Sequence, residues 1–135
     1  MAAASGGWPE MRSVIRALAV LLLSAAPALA QERAVLQERP LATDPSRVVI
    51  VSRLTLPPGA RIPLHTHSGD EHAVILTQGT ALMPTGQTLQ IVPDMTMYFP
   101  EGMVHGGVTN TGDMPIQILT THILRAGAPF QTPAE

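Results

Sequence analysis

From residue 46 onward the apolar residues come in short runs, and each run ends at a cluster of Gly, Pro, Asn or Asp. The first run, Arg47-Val48-Val49-Ile50-Val51-Ser52-Arg53-Leu54-Thr55-Leu56, is rich in β-branched side chains and stops at Pro57-Pro58-Gly59. Such side chains suit a pleated, half-buried surface, so the run predicts a strand. Further runs at Ile62 to His67, His72 to Thr77, Thr80 to Met83, Thr88 to Val92, Thr96 to Phe99, His105 to Thr109 and Ile116 to Leu124 are separated by turn-forming groups such as Ser68-Gly69-Asp70, Pro84-Thr85-Gly86 and Thr111-Gly112-Asp113. Eight short strands at roughly ten-residue spacing, with no helical period between them, predict an all-β antiparallel sandwich or barrel. Alternation places Met95, Met97 and Phe99 on the inner face and Thr96 and Tyr98 on the outer one.

The segment before residue 46 reads differently. Arg12 and Arg16 precede the run Ala17 to Ala26, and Pro27-Ala28-Leu29-Ala30 follows it. A basic n-region, a short h-region and a small-x-small site make a signal peptide with cleavage after Ala30. The run is too short for a spanning helix, which needs roughly 20 apolar residues. Met11 is a more ordinary start for such a peptide than Met1. The expected organisation is a signal peptide over 1–30, a polar lead-in over 31–45, a barrel over 46–125 and a tail over 126–135. Export to the periplasm or beyond, with no membrane association after cleavage, follows from that reading.

The 135-residue composition narrows the chemistry. All eight basic residues are arginine, they form no cluster, and the formal net charge is -2, which argues against a nucleic-acid partner. There is no cysteine, so disulfides, thiolate metal sites and cysteine nucleophiles are excluded. Five histidines and a few carboxylates remain to carry chemistry.

His65-Thr66-His67 is informative because strand residues two apart share a face, which lets two imidazoles converge on one ion with bonds of about 2.1 Å. Gly59 lies six residues before His65, Glu71 follows His67 after three residues, and Gly79 comes later. Pro100-Glu101-Gly102-Met103-Val104-His105 then delivers a third histidine from a tight turn.

These residues resemble the two motifs of the cupin superfamily. Gly59, His65, His67, Glu71 and Gly79 are similar to the first, G-x5-H-x-H-x3,4-E-x6-G, and Pro100, Gly102, His105 and Asn110 to the second, G-x5-P-x-G-x2-H-x3-N, with Asp94 in place of the leading Gly. The resemblance spans about Val48 to Leu124. It implies a small single-domain double-stranded β-helix, a jelly-roll barrel with one divalent metal inside it, and a homodimer. Iron, manganese, nickel, zinc and copper are all compatible.

The chain departs from the motifs at two points. Seven residues, not six, separate Glu71 from Gly79, and four, not three, separate His105 from Asn110. Counted back from Gly79, the carboxylate position falls on His72, and adjacent strand residues face opposite ways. The fourth ligand beside His65, His67 and His105 is therefore Glu71 or, alternatively, His72. Glu71 is the better choice because Val74-Ile75-Leu76 then supplies the apolar triplet and the extra residue falls in the Thr77-Gln78-Gly79 turn. Gly106-Gly107 can absorb the second insertion as a bulge, and Asn110 is given no role. His122, claimed by neither motif, reads as a structural histidine, and Met95, Met97, Met103 and Met114 as core filling and pocket wall.

The resemblance implies a metal-dependent enzyme of dioxygenase, isomerase or lyase type acting on a small organic molecule. Glu71, near the Ser68-Gly69-Asp70 turn, is its candidate catalytic residue, a carboxylate able to swing off the ion and take a substrate proton. A non-catalytic periplasmic metal or small-ligand binding or sensing module is the alternative. Fold analogy does not separate the two.

Overall fold

The computed structural model describes residues 30–135; the signal-peptide reading and the Met11 start fall outside the described residues. The strands are β1 (Glu32–Leu41), β2 (Asp44–Leu56), β3 (His65–Thr66), β4 (Gly69–Ile75), β5 (Gly79–Leu82), β6 (Thr88–Ile91), β7 (Thr96–Phe99), β8 (Thr109–Asn110), β9 (Ile116–Arg125) and β10 (Thr132–Pro133). They form a five-stranded sheet ordered β1-β2-β9-β4-β7, a three-stranded sheet β6-β5-β8 and a two-stranded ribbon β10-β3, with every pair antiparallel. No helix occurs among the described residues. This is the double-stranded β-helix expected.

Strict alternation in the large sheet sorts side chains into layers. Register aligns Ile50, His122, Glu71 and Phe99 in one row, and Ser52, Thr120, Ala73 and Met97 in the next. Leu54, Ile118 and Ile75 make a third row. The inner face thus changes from charged and aromatic to purely aliphatic along the barrel. Leu54, Leu56, Ala60, Ala73, Ile75, Ala81, Ile116 and Ile118 form the core at the aliphatic end. Tyr98 is exposed and Met97 and Phe99 are partly buried, as the alternation predicts, whereas Met95 is exposed although it still borders the cavity. Met103 and Met114 lie at the surface instead of filling the core.

Two segments differ from expectation. The polar lead-in over 31–45 contains β1, a ten-residue strand paired along β2. Most of its residues are exposed, so it lacks the alternation that marks a half-buried strand, and Pro40 suits its position at the sheet edge. The tail over 126–135 turns back, and Thr132 and Pro133 pair with Thr66 and His65. The tail brings Phe130 against His67 and His122 at the histidine end of the barrel.

Asn110 acquires a role. It is fully buried, its Nδ2 donates to the Leu56 and Met114 carbonyls at 2.9 and 2.8 Å, and its Oδ1 accepts from Gly112 N at 3.0 Å. The side chain ties the end of β2 to the turn before β9. The two residues expected to absorb the insertion, Gly106 and Gly107, both have positive φ. A Cβ on Gly106 would sit 2.3 Å from the Pro63 carbonyl oxygen, so glycine lets the loop pass directly beside the His65 segment.

Candidate metal centre

His65 opens β3 and bridges antiparallel to His105, whose main chain exchanges two hydrogen bonds with it at 2.9 and 3.0 Å. His67 follows on the same face. Glu71 is the third residue of β4, flanked in the sheet by His122 on β9 and Phe99 on β7. Glu71 and His67 are buried and His72 is exposed, stacked on Tyr98 at 4.9 Å between ring centroids. Glu71 therefore faces the barrel and the His72 alternative faces away. The extra residue before Gly79 lies in the Leu76–Gln78 connection, beyond the end of β4, so it leaves the Glu71 register intact. One expectation is corrected: Glu71 stands within a strand, laddered on both sides, not on a mobile turn. A swinging carboxylate has no support from this placement.

His65, His67, Glu71 and His105 bring one ligand atom each to within 4.8 Å of one another. Every one of the three imidazoles has its Nδ1 against a main-chain carbonyl: His65 on Pro63 at 2.7 Å, His67 on Phe130 at 2.6 Å, His105 on Met103 at 2.9 Å. A carbonyl only accepts, so each Nδ1 carries the hydrogen and each neutral ring turns its Nε2 lone pair inward. Those lone pairs crowd together, with His65 Nε2 3.1 Å from His67 Nε2. Glu71 Oε2 lies 3.1 Å from His67 Nε2 and 2.7 Å from His105 Nε2. Four electron-rich atoms converging in a buried site suit a cation, and the donor set of three imidazoles and a carboxylate fits a divalent metal ion.

Without a metal, protons do part of that work. Burial would raise the Glu71 carboxyl, but the imidazoles of His105, His122 and His67 hold it far below the usual carboxylate range. Burial would lower His105, yet its bond to Glu71 and its contact with the Met103 carbonyl raise it above 6.5. His65 goes the other way, pushed down chiefly by burial.

The surroundings hold the rings in place. Phe99 lies parallel to the His105 ring, 8° between planes and 4.1 Å between centroids. The loop before His105 is pinned by Asp70, which accepts from Glu101 N at 3.0 Å, while Glu101 pairs with Arg47 and Arg125. From the metal-binding end a cavity of about 330 Å³ runs into the aliphatic layers, lined by Ile75, Met97, Phe99, Val108 and Ile118 among others.

Two residues of this region lie outside both motifs. His122 is completely buried and its Nε2 lies 3.4 Å from Glu71 Oε2, so it is not a histidine remote from the site. Its signal was present: inward alternation on β9, four residues past Ile118. Arg33 reaches the cavity wall from β1, where the sequence predicts no strand.

A family model described as Cupin domain matches residues 52–134. A cupin domain from Bordetella pertussis is 27% identical, with a TM-score of 0.53 over 70% of this chain and 93% of that one. A Thermotoga maritima structure described as a predicted oxalate decarboxylase is 26% identical, with a TM-score of 0.51 over 70% of this chain and 80% of that one. The polyketide cyclase RemF of Streptomyces resistomycificus, at 16% identity and a TM-score of 0.56 over 78% of this chain and 71% of that one, shares the fold. No curated protein sequence matches the chain. A barrel with inward histidines on β3 and after the Pro100 turn, and a family match running through both motifs to residue 134, lead to one conclusion: the chain belongs to the cupin family.

Proposed function

We propose that the chain is an exported, metal-dependent enzyme of dioxygenase, isomerase or lyase type that acts on a small organic molecule. The observation that carries this reading is the inward set of Nε2 lone pairs of His65, His67 and His105 beside Glu71, at the mouth of an apolar cavity. A divalent ion bound there supplies Lewis acidity toward a substrate oxygen, and four protein donors leave coordination positions free for it.

The chain's own residues do the rest. Apolar walls such as Ile75, Met97 and Val108 exclude water and accept the body of the substrate. The carbonyls of Pro63, Met103 and Phe130 fix the ring orientations. Glu71 is the one carboxylate lining the cavity among the described residues, and its place in the strand ladder beside the three imidazoles makes it a ligand first. The Thermotoga relative, described as a predicted oxalate decarboxylase, favours an enzyme over a passive binder.

The second reading, a non-catalytic metal or small-ligand binding module, draws on a different observation. Apart from the ligand residues and Arg33, no titratable side chain lines the cavity among the described residues, and the Tyr98 phenol faces outward. Metal analysis of the purified chain, with electronic or paramagnetic spectra before and after adding candidate small molecules, separates the readings. Spectral change and turnover support the enzyme; a saturated shell blind to every added ligand supports the binding module. Stoichiometric metal in a His65→Ala/His105→Ala variant would sink both.

Assembly as a homodimer is part of the proposal, supported by β1: it is a sheet edge with Val35 and Leu36 exposed, a surface suited to pairing. Sedimentation of the exported form tests it, and cell fractionation tests export.

A further inference from the structure

We propose that Arg33 forms an anion-binding subsite inside the barrel, so that the cavity takes a small carboxylate whose charged end sits on the guanidinium and whose apolar body lies against the cavity walls. The proposal rests on the reading of this cavity as the ligand site and names the ligand class.

Arg33 is not a surface cation that happens to lie inward. Its Nη1 donates to Ser52 Oγ at 2.6 Å and to Thr120 Oγ1 at 2.9 Å. Those two hydroxyls are 2.8 Å apart and almost completely buried, in the row adjoining Glu71. Buried hydroxyls amid aliphatic neighbours are costly unless they have partners, and here the guanidinium is a shared one. Phe130, from the returning tail, covers the group, with the guanidinium carbon 4.6 Å from the ring centroid. Packing and hydrogen bonds together hold one end of the fork rigid.

The other end is left available. Nε and Nη2 make no hydrogen bond to any described residue, and Arg33 forms no salt bridge with a described carboxylate. Arg33 nevertheless lines the same cavity as His65, Glu71 and His105. A half-buried, immobilised guanidinium that forms no ion pair, with Glu71 acting on it only through space, suits a planar oxyanion, which it can grip with two parallel hydrogen bonds. The cavity of about 330 Å³ holds a ligand of roughly ten non-hydrogen atoms. Away from Arg33, Thr120 and the cluster of His65, Glu71 and His105 its walls are apolar, which selects one charged end and a hydrocarbon or aromatic body over a dianion or a sugar.

The test compares hexanoate with its neutral analogue hexanamide by calorimetry, on the full chain with and without bound Mn(II). Hexanoate should bind roughly tenfold to a hundredfold more tightly, the scale of a charge-assisted hydrogen-bonded pair. Arg33→Gln should remove that preference while leaving hexanamide within about twofold. Equal affinity for the two probes overturns the proposal. So does unchanged hexanoate binding in Arg33→Gln, which would put the carboxylate on the metal. If Arg33→Gln fails to fold, Arg33→Lys carries the comparison, because it keeps the charge and loses the fork; less than twofold weakening of hexanoate there overturns the proposal as well. An Arg33-dependent preference in a chain that takes up no metal sinks the metal-dependent reading and leaves the subsite standing, whereas stoichiometric metal with no such preference does the reverse.

Discussion

Glu71 and His122 face each other directly across the β4–β9 ladder, and Glu71 Oε2 lies 3.4 Å from His122 Nε2. The approach is close enough for electrostatic support, yet both ring nitrogens of His122 lack a hydrogen-bond partner among the described residues. Burial lowers its basicity more than the pull of Glu71 raises it, which favours the neutral ring. A neutral imidazole behind a ligand carboxylate orients it without competing for the ion.

His122→Leu tests that relationship. Replacing an unpartnered buried ring by an apolar side chain should change the stability of the metal-free chain by less than about 1 kcal/mol, whereas metal affinity should fall by roughly tenfold through the loosened carboxylate. Thermal melts and competition with a chelating dye measure the two quantities. Unaltered metal affinity would reduce His122 to core filling.

The choice between the two residues next to each other on β4 is as sharp. Glu71→Gln keeps the shape and removes the charge, and it should weaken Mn(II) binding by at least tenfold. His72→Ala, on the outer face against Tyr98, should leave binding within about twofold, since a surface substitution away from the site perturbs little. If His72→Ala loses the ion and Glu71→Gln retains it, the register of β4 is wrong.

The barrel and its inward histidines were legible because two local rules carry them. Strand alternation puts His65 with His67 and Met97 with Phe99 on common faces, and the Pro100–Gly102 turn presents His105. Alternation also decided Glu71 over His72 once β4 was seen to run unbroken to Ile75. What could not be read locally was whatever depends on a long-range partner. β1 is a strand because β2 offers it an edge, not because its own sequence alternates, and Arg33 was hidden with it. The tail gains its role from one carbonyl, that of Phe130, which orients His67. Asn110 belongs to a motif, but its function as a clamp on Leu56 and Met114 needs the three-dimensional neighbourhood.

Asn110→Ala should therefore act on stability and not on the metal. It strands two buried carbonyls and the Gly112 amide, and such losses cost about 1–3 kcal/mol each where water cannot compensate. The expected result is a destabilisation of about 2–4 kcal/mol in urea unfolding, with metal stoichiometry unchanged in the folded fraction. An equally stable variant would mean that the turn at Thr111 to Met114 finds other partners.

The pH dependence follows from opposite shifts in one small cluster. His105 is raised above its ordinary 6.5 in the metal-free fold, so its contribution to folding is fully present below 6.5 and is lost as pH rises through the folded value. Glu71 is depressed, so its contribution is present above its ordinary 4.5 and declines as pH falls through 4.5 toward the much lower folded value. The His105–Glu71 pair thus stabilises the metal-free chain most between pH 4.5 and 6.5. His65, lowered by burial, opposes it there: its contribution is complete above 6.5 and is lost as pH falls. A metal needs neutral imidazoles, so just above pH 6.5 it must displace the proton that His105 still holds. Metal uptake at that pH should release protons, and the release should diminish as pH rises through the folded value. Titrating Mn(II) into the weakly buffered chain with an indicator dye reads the release directly. A Glu71→Gln variant should shift the release to lower pH, because without the carboxylate only the Met103 carbonyl offsets the desolvation of His105; proton release that is independent of Glu71 would show that the two groups do not share a proton in the metal-free site.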